Sequence, residues 1–411
     1  MQRISSLIRR DKEFGSFKDT LEHSYRDKTP LPIVVNGLSG GAEDAFLCES
    51  VIEAVRVANG VPVLILTDSD EHRDDVFSLL TSSGINAQRF KSRDLVFKNI
   101  SASADVDRER LSVLHSVLNS ECDAVVASAS AAVIYTMPPE VLKSNSLKIS
   151  VGDEIAPAEL SERLVRLGFS RVDAVESRGQ FSARGGIVDF WGGEEDSPIR
   201  VEFFGDEIDR MVYFDPLTQR STDKEETLTL LPAKEVLIDT EARERIAAAI
   251  KELLRKENVS EAVKEKLKTE LALAEAGLGL DFRDKYLGLI YEEKATLLSY
   301  FENIGRTVCF LVGTSGTVDS AKKKIEALGR DTEGMLSTHL INKNAARYSI
   351  SIKELELFLE ENLTVHVNPF AGGVGNIKLS GLFGFRCRRT VSYGGNPSML
   401  FEDLGALKRG S

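Results

Sequence analysis

The chain has 411 residues, 42% of them hydrophobic and 28% charged, with 31 Gly and 11 Pro. That length allows two to four domains of about 100 to 200 residues each, and the balance excludes collagen-like, low-complexity and mostly disordered chains. The 52 Lys and Arg against 64 Asp and Glu leave a net charge of -12, so non-specific sliding on nucleic acid, which depends on neutralising phosphates, is not expected of this chain alone.

Cys48, Cys122, Cys309 and Cys387 are far apart and show no C-x-x-C spacing, which fits reduced thiols in a cytosolic protein and neither a disulfide framework nor a zinc site. The opening residues MQRISSLIRRDKEF carry scattered charges in place of an apolar signal core, and no window reaches the roughly 18 apolar residues of a membrane span. Cytoplasm is the expected location.

Residues 1 to 30 read as one charged amphipathic helix ending at Thr29-Pro30. The apolar run Leu31 to Val35 predicts a buried strand entering a glycine-rich loop at Asn36-Gly37, followed by a helix over 45–58, a strand over 61–66, a helix over 71–80 and a strand over 123–127. Strands alternating with helices predict a parallel sheet covered on both faces. From Val151 the pattern changes. A helix over 157–167 precedes alternating segments at 180–191, 199–204 and 208–214, punctuated by Gly192-Gly193 and Gly205-Asp206-Glu207, which predicts an antiparallel sheet with one wet face.

After Pro232 come helices over 241–254 and 260–276, a strand over 307–312, a helix over 318–328 and strands at 363–368 and 391–393, with a last helix over 398–407. The expected organisation is therefore a helicase-like α/β domain over 1–150, an inserted β-rich domain over 151–236, a helical segment returning to the α/β domain over 237–395, and the start of a following domain at 396–411. A chain that stops where the next strand of an α/β domain would begin is expected to be part of a longer protein.

Gly37-Leu38-Ser39-Gly40-Gly41-Ala42-Glu43-Asp44 has the strand-loop-helix context of a P-loop, where backbone N–H groups cradle phosphates. Counting G-x-x-x-x-G-K-S/T from Gly37 puts Ala42, Glu43 and Asp44 where Gly, Lys and Ser/Thr belong. Two carboxylates at the positive end of the helix dipole should repel a triphosphate, so the loop reads as degenerate. The five histidines, His23, His72, His115, His339 and His366, form no metal or nucleophile motif and read as solvated or capping residues. Glu194-Glu195-Asp196 reads as a solvated hairpin tip, and Arg386, Arg388 and Arg389 as a charged strand face with phosphate contact as the alternative.

The segment Arg178-Gly179-Gln180-Phe181-Ser182-Ala183-Arg184-Gly185-Gly186-Ile187-Val188-Asp189-Phe190-Trp191, with 198–208 and 214–221, resembles the UvrB-homology domain shared by UvrB and the bacterial transcription-repair coupling factors, the Mfd family. The resemblance runs over about residues 30 to 330. It implies a P-loop NTPase-like sheet interrupted by a UvrA-binding domain, with the coupling-factor branch carrying a decayed nucleotide site like Ala42-Glu43-Asp44 and no D-E-x-H acids where Gly313-Thr314-Ser315 follow the strand. It implies no cofactor for this chain, ATP and Mg²⁺ being expected only in a downstream motor, and recruitment of UvrA to stalled RNA polymerase. Polymerase and double-stranded DNA contacts would belong to other regions, and docking of this module on the motor would mask its UvrA surface. An ATP-dependent UvrB-type helicase subunit is the alternative.

For the UvrA surface, Arg171 and Arg184 are expected on the wet face of the sheet, ready for bidentate carboxylate contacts, and Phe190 and Trp191 on opposite faces, with Trp191 at the family's partner-contacting position. The blander readings are surface salt bridges to Asp173 or Glu202 and, for Trp191, packing at the rim of its own domain. The UvrB branch carries an additional arginine where this chain has Ser182.

Overall fold

The computed structural model describes residues 2–27, 30–95, 104–193, 195–277, 283–368 and 378–387, together with Ser398, Phe401, Glu402 and Gly405. Arg388, Arg389, the strand expected at 391–393, Glu194 and most of the helix expected over 398–407 lie outside the described residues.

The N-terminal helix is two helices, Gln2–Arg10 and Lys12–Arg26, because Asp11 caps the second: its Oδ1 accepts the Glu13 N–H at 2.8 Å. The second helix buries Phe14, Phe17 and Leu21. The chain then forms β1 (Ile33–Asn36), β2 (Val63–Thr67), β3 (Ala87–Phe90) and β4 (Ala124–Ser128), with helices Gly41–Val57, Asp70–Ser82 and Ala104–Leu118 between them. Alternate residues of β2 enter different cores. Val63 and Ile65 pack with Phe46, and Leu64 and Leu66 with Leu111, which is why the strand reads as an unbroken apolar run.

A second sheet interrupts the first. The strands that follow are β5 (Leu147–Ser150), β6 (Ser170–Arg171), β7 (Gln180–Arg184), β8 (Ile187–Phe190), β9 (Ile199–Phe204), β10 (Glu207–Phe214), β11 (Ser221–Glu225) and β12 (Thr227–Leu230). Six of them form one sheet in the order β11-β10-β9-β8-β7-β6, while β5 and β12 pair with each other as an antiparallel neck. The sheet is mainly antiparallel, as expected, with one parallel edge where β6 runs beside β7. Helix Pro157–Arg166 covers one face through Leu160 and Leu164, over Phe181, Val188, Phe190 and Val201.

Beyond the neck, helices Thr240–Leu254 and Glu261–Glu275 are capped by Asp239 and Ser260. The chain then re-enters the first sheet as β13 (Val308–Val312), β14 (Leu363–Asn368) and β15 (Gly381–Gly384). That sheet is parallel throughout, in the order β15-β1-β14-β13-β2-β4-β3. The helix expected over 318–328 is Thr314–Ser337, entered through Gly313 in the left-handed region. His366 is not a solvated or capping residue but sits half-buried within β14.

Candidate partner-binding surface

The loop after β1 is held by two glycines with positive φ, Gly37 at 82° and Gly40 at 56°. A Cβ on Gly37 would run into the Phe385 carbonyl, and the Phe385 N–H donates to the Asn36 carbonyl at 2.9 Å, so the chain's own backbone covers that side of the loop. Glu43 and Asp44 lie half-buried in the first turn of the following helix. Burial raises the Glu43 carboxyl and Asp44 repels it further, while burial alone raises Asp44. Asp68, bonded to His72 Nδ1 at 2.8 Å, and Asp70 follow β2. After β13 the Thr314 N–H is taken by Asn368 Oδ1 at 3.2 Å. The carboxyl ends of the strands, where open α/β sheets place ligands, thus present several carboxylates.

On the second sheet the hairpin β7–β8 turns at Gly185-Gly186 and pairs Phe181 with Phe190 and Arg184 with Ile187. Phe190 is 0% exposed and meets Phe169 edge to face at 6.4 Å, so it is a core residue and not a partner contact. Arg184 lies on the face away from the helix with its side chain 61% exposed. It stands 3.5 Å from Asp189, whose carboxylate also receives both Arg200 donors at 2.7 and 2.8 Å. Neither Asp173 nor Glu202 is its partner; Glu202 faces Arg210 at 3.9 Å.

Register puts Arg171 beside Phe181, on the helix side. There it lines a groove of about 430 Å³ with Ser161, Glu162, Val165, Ala183 and Gly185, and among the described residues it has no ion pair. The two arginines therefore do not share the wet face.

Trp191 is a rim residue at the other end of the hairpin. Its Nε1 donates to the Glu195 carbonyl at 3.0 Å and the Arg178 guanidinium lies 5.6 Å from its ring. Four strand residues, about 13 Å, separate it from Arg184. Ser182 is buried and donates to the Asp173 carbonyl at 2.9 Å.

The exposed aromatic on the face that carries Arg184 is Phe204, 81% exposed and on the same side of the sheet as Ile187 and Glu202. Its signal in the sequence is Phe203-Phe204 ahead of the Gly205-Asp206 turn: alternation lets only one of two adjacent phenylalanines face the core.

Comparison with known proteins gives this surface a context, because residues 147–236 match the UvrB interaction domain. The chain is 30% identical over 317 residues to the transcription-repair-coupling factor of Bacillus subtilis, covering 73% of this chain and 26% of that protein. It is 35% identical over 156 residues to that of Myxococcus xanthus, covering 38% and 13%. The chain carries the UvrB-homology module of the transcription-repair coupling factors. UvrABC system protein B of Thermosipho africanus is 34% identical over 252 residues, 57% of this chain and 36% of that protein. The chain thus spans about a quarter of the Bacillus coupling factor, and its UvrB-homology module places Arg171, Arg184, Ile187 and Phe204 all within the matched interaction domain. Among the described residues no helix is long and apolar enough to cross a membrane, and no group of acids, histidines and cysteines is gathered for a metal.

Proposed function

We propose that this chain is the UvrA-recruiting part of a transcription-repair coupling factor, acting by binding and not by catalysis, in a larger protein that moves on DNA and engages stalled RNA polymerase. The observation that carries the reading is the exposed face of the UvrB interaction domain, which presents Arg184, Ile187 and Phe204. Arginine and aromatic side chains on one exposed face are the usual anchors of a protein interface. Arg171, in its groove on the other face, is a second contact for a partner that wraps the β6–β7 edge.

The loop at Gly37 supports the non-catalytic part. Glu43 stands where a phosphate-binding lysine is needed, the neighbouring acids repel a triphosphate, and the Phe385 backbone fills space beside the loop. ATP and Mg²⁺ are then needs of the longer protein's motor. The UvrB-type helicase alternative requires this loop to hold nucleotide.

Calorimetric titration with purified UvrA tests the proposal. Saturable binding that Arg184→Ala/Phe204→Ala loses while its circular dichroism is unchanged is the expected result. No binding by the unaltered chain, or saturable ATP uptake by it in equilibrium dialysis, overturns the reading.

A further inference from the structure

We infer that the interaction domain is presented in one fixed orientation, set by a grip from helix Ala104–Leu118 of the α/β body on two separate parts of that domain. The inference does not depend on which partner the domain binds.

The first grip is on the exit strand. Five residues past β12, Glu235 is completely buried, and its carboxylate receives Arg110 Nε at 2.7 Å and Nη2 at 3.0 Å. Arg110 is equally buried, donates through Nη1 to the Lys91 carbonyl at 2.7 Å, and lies 3.9 Å over the Phe90 ring. The Glu235 backbone is held as well: its N–H donates to Asp107 Oδ2 at 3.3 Å, and its carbonyl accepts the Tyr291 hydroxyl at 3.0 Å. Asp107 is itself fixed by Arg93, which also reaches Asp284 at 2.5 Å.

The second grip is on the loops at the far end of the β7–β8 hairpin. The Arg108 side chain runs against Gly193, where a Cβ would meet it at 3.2 Å, and its Nη1 lies 3.7 Å from the Cβ position of Gly179. Both glycines flank the Trp191–Arg178 stack. This half-buried tryptophan therefore belongs to the junction.

A buried ion pair adds little net stability over apolar packing, yet misplacing one partner strands an unpaired charge away from water. Ala233, two residues before Glu235, donates its N–H to the Leu167 carbonyl of the domain at 2.9 Å, so tilting the domain against the α/β body would pull Glu235 from Arg110 and lift Gly193 from Arg108 together. The two grips and the chain's entry into β5 give three points of attachment, which leave no free axis of rotation. The hairpin face that carries Arg184 and Phe204 is then held at a set angle to the α/β body.

The test places spin labels on Val165→Cys, in the interaction domain, and Ile52→Cys, in the body, in a Cys387→Ser background, and reads the distance distribution by double electron–electron resonance. One narrow distribution is expected. Arg110→Gln/Glu235→Gln, which neutralises both partners, and Gly193→Val, which wedges the second grip without touching a charge, should each broaden or shift it while far-UV circular dichroism is retained. If the double variant does not fold, Gly193→Val still decides. A broad distribution in the parent, or an unchanged one in a folded Gly193→Val, overturns the inference.

Discussion

Arg171 and Arg184 project from opposite faces of one sheet, Arg171 in register with Phe181 on the helix side and Arg184 opposite Ile187 on the other. They share no carboxylate; Asp189 serves Arg184 and Arg200 only. Their losses of UvrA affinity should therefore be additive. Arg184→Ala is expected to weaken binding about tenfold and Phe204→Ala at least as much, with a smaller effect for Arg171→Ala. The double variant of the two arginines should equal the sum of the single effects within about 0.5 kcal/mol by titration calorimetry. Strong coupling would mean that one partner group bridges both.

Phe190→Ala should act through folding alone. Removing a fully buried ring from the core under helix Pro157–Arg166 is expected to cost about 3 to 5 kcal/mol, read from urea denaturation. At denaturant-free equilibrium the folded fraction should still bind UvrA with unchanged affinity. A folded variant with selective loss of binding would contradict the placement of this ring.

The central strands of the first sheet could be read from the sequence because burial wrote them there. The all-buried β1, β2, β4 and β13 appear as apolar runs, and β9 and β14 have the predicted limits. Unread were β6, two exposed residues defined only by its partner strand, β3, Ala-Gln-Arg-Phe, whose ends alone are buried, and also β5, β11, β12, β15 and helix Ala104–Leu118. Side-chain direction on the candidate surface was equally hidden. Alternation says that Phe190 and Trp191 face opposite ways, and the packing of helix Pro157–Arg166 decides that Phe190 goes inside. The long-range pair Arg110–Glu235 joins positions 125 residues apart, beyond any local period.

His366 gives a pH dependence. Burial in β14 pushes its imidazole down to about 4, against about 6.5 in an unfolded chain. The unfolded state therefore takes up the proton first as pH falls. The stability contribution is complete above about 6.5, declines between 6.5 and about 4, and amounts to roughly 3 kcal/mol at most. Denaturation midpoints of the parent and His366→Gln, compared at pH 7.5 and 4.5, should converge toward the acid side. Equal separation at both pH values would show that the imidazole titrates normally.

On the proposed non-catalytic reading, the loop at Gly37 should not regain nucleotide binding when its sequence is restored. Ala42→Gly/Glu43→Lys/Asp44→Ser restores the residue types of a P-loop, yet the Phe385 backbone still lies against Gly37, and Asp68 and Asp70 remain nearby. No ATP uptake is expected from the triple variant in equilibrium dialysis. Uptake would show that side-chain chemistry alone had closed the site.

Ser150 and Thr227 face each other across the first step of the β5–β12 neck, their hydroxyl oxygens 3.1 Å apart. A segment that leaves and returns at adjacent points can be cut out and its ends rejoined by a short turn, without altering the path of the remaining chain. The whole of 151–226 is thus a removable cassette in the polypeptide's connectivity. Lineages could exchange or lose it in one event, while the seven-stranded sheet stays behind.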